Sequence, residues 1–297
     1  MTFTTEIKIA NPANAPNTPI PSSKESFHHV PETMFLTLST RADDARRSTP
    51  ILNDTWAAQI LDNIDYHMPR RLLDWLIREG VLIRAWLLDS WATSFLDRNP
   101  EAVVLHLACG LDSRVLRLKW GPGVTWVDLD LPEVIALRQK LVPSPNDGRD
   151  YRLVAASATD TEWLDDIPTD RPVLIIMEGF VMYLNEPQAK QLLNRLSSKF
   201  SRGEVIFDVV GHLFTKGWIL GTPAWTATRL MKFVVNDQKE LEKMVPGMKV
   251  KVGIKYWEYP VLDKLPWFQR TFIKALKWIP GFWMLISAYK FQLGSED

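Results

Sequence analysis

From residue 102 onward the chain switches repeatedly between two hydrophobic periods. "AVVLHLA" (102–108), "VTWVDLD" (124–130), "YRLVAAS" (151–157), "PVLIIMEG" (172–179) and "EVIFDVVG" (204–211) are short apolar runs rich in strand-forming residues. Stretches of helical period lie between most of them. In "NEPQAKQLLNRLSSKF" Asn185 is a plausible N-cap, Gln188 stands three residues on, and Ala189, Leu192, Leu193, Leu196 and Phe200 make one stripe. Strands that are apolar throughout, separated by helices, predict an α/β fold with a mostly parallel sheet covered on both faces. Further on, "KVKVGIKYW" (249–257) alternates as a strand does, and "AYKFQL" (288–293) suits a last one. Between them, 264–279 predicts an amphipathic helix with Phe268, Phe272, Leu276 and Ile279 on one face and Arg270, Lys274 and Lys277 on another.

Ahead of the sheet, residues 27–68 read as helical with a loop near Ser48-Thr49-Pro50. A helix over 70–98 is bounded by Pro69 and Pro100, with Gly80 as the point where it kinks or splits. The organisation expected is one domain: a Pro/Asn-rich mobile tail (1–26), an N-terminal helical region (27–100), and a sheet core (101–297) interrupted by an insertion at 212–248 on the substrate side.

Composition narrows the function. With 35 Lys plus Arg against 35 Asp plus Glu, the chain lacks the electrostatic footprint of a nucleic-acid binder. A single cysteine excludes an intramolecular disulfide and a Cys-cluster zinc site, and suits a reducing, cytoplasmic setting. No apolar run is long enough for a membrane span. His28, His29 and His67 lack metal-ligand spacing, so no metal is expected.

The turn in "VVLHLACGLDSR" (103–114) follows the first strand, where α/β proteins bind nucleotides, yet it carries only Gly110. A dinucleotide pyrophosphate asks for G-x-G-x-x-G, which counts against an NAD-dependent reductase. A ligand without phosphates, such as S-adenosylmethionine, needs one close approach, a carboxylate after the second strand for ribose hydroxyls, and an anchor for its methionine carboxylate. Asp128 and Asp130 point the same way off the second strand, and either suits the ribose or a structural role. In the 70–98 helix, Leu73, Ile77, Val81, Leu88, Trp91 and Phe95 recur at helical spacing, and Arg84 falls in their stripe. A guanidinium there needs an anion, either an internal carboxylate or a ligand's, unless it snorkels. Glu178 ends an apolar strand before Gly179 and belongs either in the crevice or at a helix N-cap.

At these residues the chain resembles the leucine carboxyl methyltransferase family, and more closely its small-molecule, polyketide-tailoring O-methyltransferase branch. The likeness is carried, in order, by "ETMFLTLSTRADDARR", "ILNDTWAAQI", "IRAWLLD", "LACGLDSR", "WVDLDLPEVI", "VAASATDTEWL" and "IIMEGFVMYL", from about residue 30 to about residue 211. It implies the class I methyltransferase (Rossmann-like) fold and S-adenosylmethionine as cofactor. Carried over, it makes Arg84 the carboxylate anchor, Gly110 the turn glycine and Asp130, rather than Asp128, the ribose carboxylate. It sets Glu178 beside the methionine part and makes Arg41 a second carboxylate contact. At the adenine position the phosphatase-modifying branch has Asp-Leu; here stand Ser157 and Ala158. Cys109 is then a small packed residue rather than a nucleophile.

Methyl transfer from a sulfonium is an in-line displacement in which the protein mainly aligns acceptor and methyl. A carboxylate acceptor needs no base, whereas a phenol benefits from one. His212 is the best base candidate, with Tyr183 and Asp208 also near strand ends or within a strand. Trp218, Trp225, Trp257, Trp267, Trp278 and Trp283, with Phe214, Phe233, Phe268 and Phe272, are candidates for an apolar pocket around an aromatic or lipid-like acceptor, or simply for core. The expectation is therefore an O-methyltransferase acting on a carboxyl or phenolic hydroxyl of a small metabolite. The alternatives are a protein C-terminal carboxyl methyltransferase and a non-catalytic binding protein on the same scaffold. The basic amphipathic helix at 264–279 has the character of a membrane-surface helix, but packing over the sheet is the default expectation.

Overall fold

The five apolar runs form the first five strands of one seven-stranded sheet. The computed structural model describes residues 8–9, 32–66, 74–145, 147–211, 230–235, 238–245, 248–278 and 286–294. In chain order the elements are β1 (Lys8–Ile9), α1 (Glu32–Ala45), α2 (Thr55–Asp62), β2 (Ile64–Asp65), α3 (Asp74–Arg98), β3 (Val103–Leu107), α4 (Arg114–Arg117), β4 (Thr125–Asp130), α5 (Pro132–Leu141), β5 (Asp150–Ala155), β6 (Val173–Met177), α6 (Glu186–Lys199), β7 (Gly203–Val210), α7 (Gln238–Met244), β8 (Met248–Lys255), α8 (Trp267–Ala275) and β9 (Ile286–Leu293). The large sheet runs β5-β4-β3-β6-β7-β9-β8. Its first five strands pair in parallel, and β9 is antiparallel to both neighbours. This is the class I methyltransferase sheet.

Burial explains the reading of each strand. All residues of β3, β6 and β7 are buried, because helices cover both faces, and these are the continuous apolar runs. Edge strand β8 alternates: Met248 is buried, the other inward positions are half-buried and those between them are exposed. Connections from β3 go to β4 and β5 on one side, then cross to β6 and β7 on the other. The crevice between β3 and β6, at their carboxyl ends, is where such a sheet accepts a ligand.

On one face α6 buries Ala189, Leu192, Leu193 and Leu196, with Phe200 just beyond it. A capping box starts this helix: Asn185 Oδ1 accepts from the Gln188 N–H at 2.9 Å, and Gln188 Oε1 accepts from the Asn185 N–H at 3.0 Å. On the other face α3 packs Leu82, Ile83, Leu87, Leu88, Trp91 and Phe95 against the sheet.

Several expectations are corrected. Gly80 does not split α3, which runs unbroken through it. Glycine keeps its N–H, so the hydrogen-bond ladder survives, and its modest helical cost of about 1 kcal/mol is outweighed by burial on both sides. Leu73 lies outside the described residues. Of the stretch expected to be a tail, only Lys8–Ile9 are among the described residues, paired antiparallel with Ile64–Asp65, so that expectation stands untested. The 264–279 helix is shorter, ending at Ala275 before a 3-10 turn (276–278). Its packing face is also different. Ile273 is fully buried, while Phe268, Phe272, Trp267 and Trp278 are exposed, so these four do not line a closed pocket. A nine-residue helix needs few anchors, and Ile273 fills that role among Tyr259, Leu262 and Leu265. Phe233 is core, and Trp257 packs at the core's margin. Phe214, Trp218, Trp225 and Trp283 lie outside the described residues.

The capping box predicts that Asn185→Ala lowers unfolding free energy by about 1 kcal/mol. Urea denaturation should show a lower midpoint with an unchanged slope.

Candidate active site

The turn after β3 is built without phosphate-binding glycines. Ala108 (φ 54°) and Gly110 (φ 52°) both take left-handed backbone. Between them Cys109 is buried, and burial pushes its thiol well above the usual range, with Asp128, Asp130 and Asp112 nearby adding to this. It packs rather than reacts. The Gly110 N–H donates to Asp130 Oδ2 at 2.7 Å, and the Leu131 N–H donates to the other oxygen at 2.8 Å. A Cβ on Gly110 would lie 3.2 Å from Cγ of Met34, so α1 closes down over this turn.

The structure separates the two aspartates of β4. Asp128 is fully buried and committed. It pairs with Arg138, accepts from Trp126 Nε1 (2.8 Å) and the Tyr151 hydroxyl (2.8 Å), and lies 3.3 Å from His106 Nδ1. Burial alone would raise its carboxyl, but Arg138 and His106 outweigh that and hold it at about 2. It is therefore structural and does not reach the crevice. Arg138 also donates to the carbonyls of Gly110 (2.9 Å) and Asp112 (2.7 Å), fastening the turn to β4. Asp130, at the strand's end, is only partly buried. Burial raises its carboxyl despite the two backbone donors.

Arg84, from α3, finds internal carboxylates. Its Nε and Nη2 donate to Glu178 Oε1 (3.3 and 3.0 Å), and Nη1 donates to Asp208 Oδ2 on β7 (2.9 Å). Three of a guanidinium's five N–H bonds are so used. One on each terminal nitrogen is left without a partner among the described residues. Gly179 makes this placement possible: it sits at φ +61°, and a Cβ there would lie 3.3 Å from both Nη1 and Nη2. Glu178 is not a helix cap. Its other oxygen accepts from Arg114 Nη2 at 2.5 Å. Burial favours its neutral form, but Arg84 and Arg114 dominate and hold it at about 2. Asp208 goes the other way: burial raises it, only partly offset by Arg84 and by the Gly179 N–H, which donates at 2.6 Å.

The network extends further than the sequence suggested. Arg114 Nε donates to Asp89 Oδ1 (2.7 Å), and its Nη1 lies 3.2 Å from Asp112 Oδ2. Arg117 bonds Asp89 (2.6 Å), Asp112 (2.5 Å) and Asp54 (3.1 Å). Ser113 Oγ donates to Asp54 at 2.7 Å. Arg114, Arg117, Asp89, Asp112 and Asp54 were not singled out from the sequence. The available signal was "LDSRVLR": three charges across one short turn whose neighbours Leu111 and Val115 are buried.

Of the other candidates, Arg41 on α1 is buried 2.6 Å from Asp112, which ties it to the same network. Tyr183 lies in the 3-10 turn Val181–Tyr183; burial raises its phenol, only partly countered by a hydrogen bond with Thr33. A phenol so raised is a donor at neutral pH and a poor base. Ser157 Oγ is 2.7 Å from Thr159 Oγ1 and accepts from the Thr159 N–H (3.2 Å), while Ala158 packs into the sheet core. The Ala156 N–H donates to the Asp130 carbonyl (3.0 Å), which joins this stretch to the end of β4. His212 lies outside the described residues.

The edge of the sheet thus presents a partly exposed carboxylate at one end and a guanidinium with spare donors at the other, with an ionised carboxylate beside it. This donor set fits a ligand with a diol and an amino-acid zwitterion, as S-adenosylmethionine is. A family model described as leucine carboxyl methyltransferase matches residues 35–197. The chain is 36% identical over 267 residues to the S-adenosyl-L-methionine-dependent methyltransferase dpfgK of Gibberella zeae, covering 83% of this chain and 89% of that one. It is 38% identical over 248 residues to the tetracenomycin polyketide synthesis O-methyltransferase TcmP of Streptomyces glaucescens, covering 78% and 85%. A crystal structure from Thermobifida fusca described as a methyltransferase superposes with a TM-score of 0.55 at 13% identity, over 90% of this chain and 99% of that one, and so shares the fold. Motif order, sheet order and relatives agree: the chain belongs to the leucine carboxyl methyltransferase family and uses S-adenosylmethionine.

Proposed function

We propose that the chain is an O-methyltransferase that methylates a carboxyl group of a small, aromatic or polyketide-like metabolite. The observation that carries this reading is the 38% identity to the tetracenomycin enzyme across 85% of its length. The choice of carboxyl over phenol rests on acid–base chemistry. Among the described residues, Tyr183 is held protonated and Glu178 is locked between two arginines. A carboxylate acceptor is ionised at neutral pH and asks neither of them for help.

The bound cofactor supplies an electrophilic methyl on a positively charged sulfur. In this reading Asp130 accepts from the ribose hydroxyls, and its raised affinity for protons reflects the burial that a hydrogen-bonded diol would satisfy. The two spare N–H bonds of Arg84 hold the methionine carboxylate, with Arg41 as a second cation. Glu178, ionised at any working pH, accepts from the ammonium. Ser157 and Ala158 border the adenine. The protein's contribution to rate is alignment.

Titration calorimetry with S-adenosylhomocysteine tests the anchor. Arg84→Lys keeps a charge beside Glu178 and Asp208 but loses the planar fork, and should weaken binding at least about tenfold. Arg84→Ala should abolish measurable heat, a loss of roughly 2–5 kcal/mol. Unchanged affinity in a folded Arg84→Lys variant rules the anchor role out.

Gly179→Ala should also weaken binding, since the new methyl crowds both terminal nitrogens of Arg84 at a left-handed position that already costs about 1–2 kcal/mol for an L side chain. Its readout is the same calorimetry, with circular dichroism as the control for folding.

The Glu178 carboxyl, held at about 2, sets the pH dependence. Because it is lowered, the ionised form persists throughout the neutral range and is lost only in strong acid. The ammonium contact at Glu178 should therefore be constant from about pH 5 to about pH 8, and a loss of cofactor affinity towards acid reports Asp130, whose carboxyl is raised by burial. Methylation of an aromatic carboxylate should be equally flat there. A rate that instead rises tenfold per pH unit, with a phenol as the better acceptor, overturns the carboxyl reading. Turnover of a C-terminal leucine peptide in preference to any small acid would move the assignment to protein carboxyl methylation.

A further inference from the structure

We propose that the outer face of α8 and the turn after it form a docking surface for membranes rich in anionic lipid. Trp267 is 73% exposed, Phe268 55%, Phe272 45% and Trp278 79%. Four large aromatic side chains thus stand in solvent within twelve residues, while Ile273 on the opposite side of α8 anchors the helix to the body. Scattered exposed apolar residues are ordinary; a cluster of this size is not.

Charge identifies the occupant. From Lys264 to Gly294 the sequence contains no aspartate or glutamate, while Lys264, Arg270, Lys274 and Lys277 fall within or beside α8. Asp263 pairs with this face: it lies 3.3 Å from Arg270 and 3.8 Å from Lys274, both solvent-exposed pairs of little energetic weight. The Lys277 ammonium lies 5.0 Å above the Trp278 ring, so a cation and an interfacial aromatic occupy one spot. Indoles and phenyl rings that enter the headgroup layer, rimmed by cations that meet lipid phosphates, are the chemistry of an interfacial helix. A protein partner would have to supply acidic groups around an apolar centre, whereas an anionic bilayer supplies both at once.

The position of the face gives it a use. Phe272 meets Trp75, near the start of α3, at 5.6 Å between ring centroids. Trp75 precedes Arg84 by nine residues, which is about 13 Å along the helix axis. Since α3 runs from this end toward Arg98, which pairs with Glu204 at the amino end of β7, the Trp75 end projects past the carboxyl edge of the sheet. The docking face therefore lies on the crevice side, and bilayer contact would bring the rim of the site to the membrane surface.

The test uses the full chain with sucrose-loaded vesicles of phosphatidylcholine alone or of phosphatidylcholine with phosphatidylserine, read by co-sedimentation and by the tryptophan emission maximum. Wild type should bind the serine-containing vesicles at least about tenfold more tightly, lose that preference at high salt, and shift its emission to shorter wavelength. Trp267→Ser with Trp278→Ser should remove most of the binding, and Lys274→Glu with Lys277→Glu should remove the lipid preference. Both double variants should keep wild-type affinity for S-adenosylhomocysteine, which reports folding and keeps this test separate from that of the methyl transfer. Absence of vesicle binding by the wild type overturns the proposal, as does equal binding by wild type and variants. Self-association in light scattering that the aromatic variant abolishes, without vesicle binding, would make the face a contact between copies of this chain and overturn it equally.

Discussion

A buried guanidinium shared between two carboxylates governs the carboxyl edge of this sheet. Arg84 lies among α3, β6 and β7; it is the guanidinium that balances the fully buried Asp208, and it shares Glu178 with Arg114. Removing one member of such a group strands the charge of another, at a cost of about 3–5 kcal/mol. The placement in turn requires Gly179, because any side chain there meets the guanidinium. From Glu178 the network continues through Arg114 to Asp89 and Asp112, then through Arg117 to Asp54. It ties α2, α3, α4 and two strands into one rigid frame. Fixed donors and acceptors of this kind suit a reaction in which the protein aligns its reactants.

The two carboxylates on Arg84 are pushed apart in proton affinity by their surroundings. Glu178 has two guanidiniums and stays ionised; Asp208 has a share of one, plus a backbone donor, and burial wins. The same logic separates Asp128 from Asp130. They are two residues apart on one strand, yet one is locked under the turn by Arg138 and the other stands at the crevice. Chemical type and spacing cannot distinguish such pairs, whereas depth along the strand does.

This shows what was legible in the sequence. The parallel strands were, because burial on both faces leaves continuous apolar runs, and so was α6, because its stripe and capping pair are local. Arg84 and Glu178 stood out as charges in apolar surroundings, but their partnership did not: the residues are 94 apart, and Arg84 and Asp208 are 124 apart. Contacts at such separations leave no local periodicity to read. Gly80 looked like a breaker because propensity was weighed without the tertiary burial that overrides it. The face of α8 was misread for a related reason. An apolar stripe states that a helix can bury one side, and among the described residues of α8 it is Ile273 that is fully buried, with Phe272 only edge-on to Trp75.

The shared-charge arrangement also constrains how this sequence can drift. Arg114 alone contacts Asp89, Asp112 and Glu178, and Arg117 contacts Asp54, Asp89 and Asp112. A neutral change at any one of these positions leaves one to three others with an unbalanced charge, so the tolerated routes pass through paired replacements or none. Lineages descending from such a chain should vary freely at its solvent-facing helices while the ionic frame is inherited as a block.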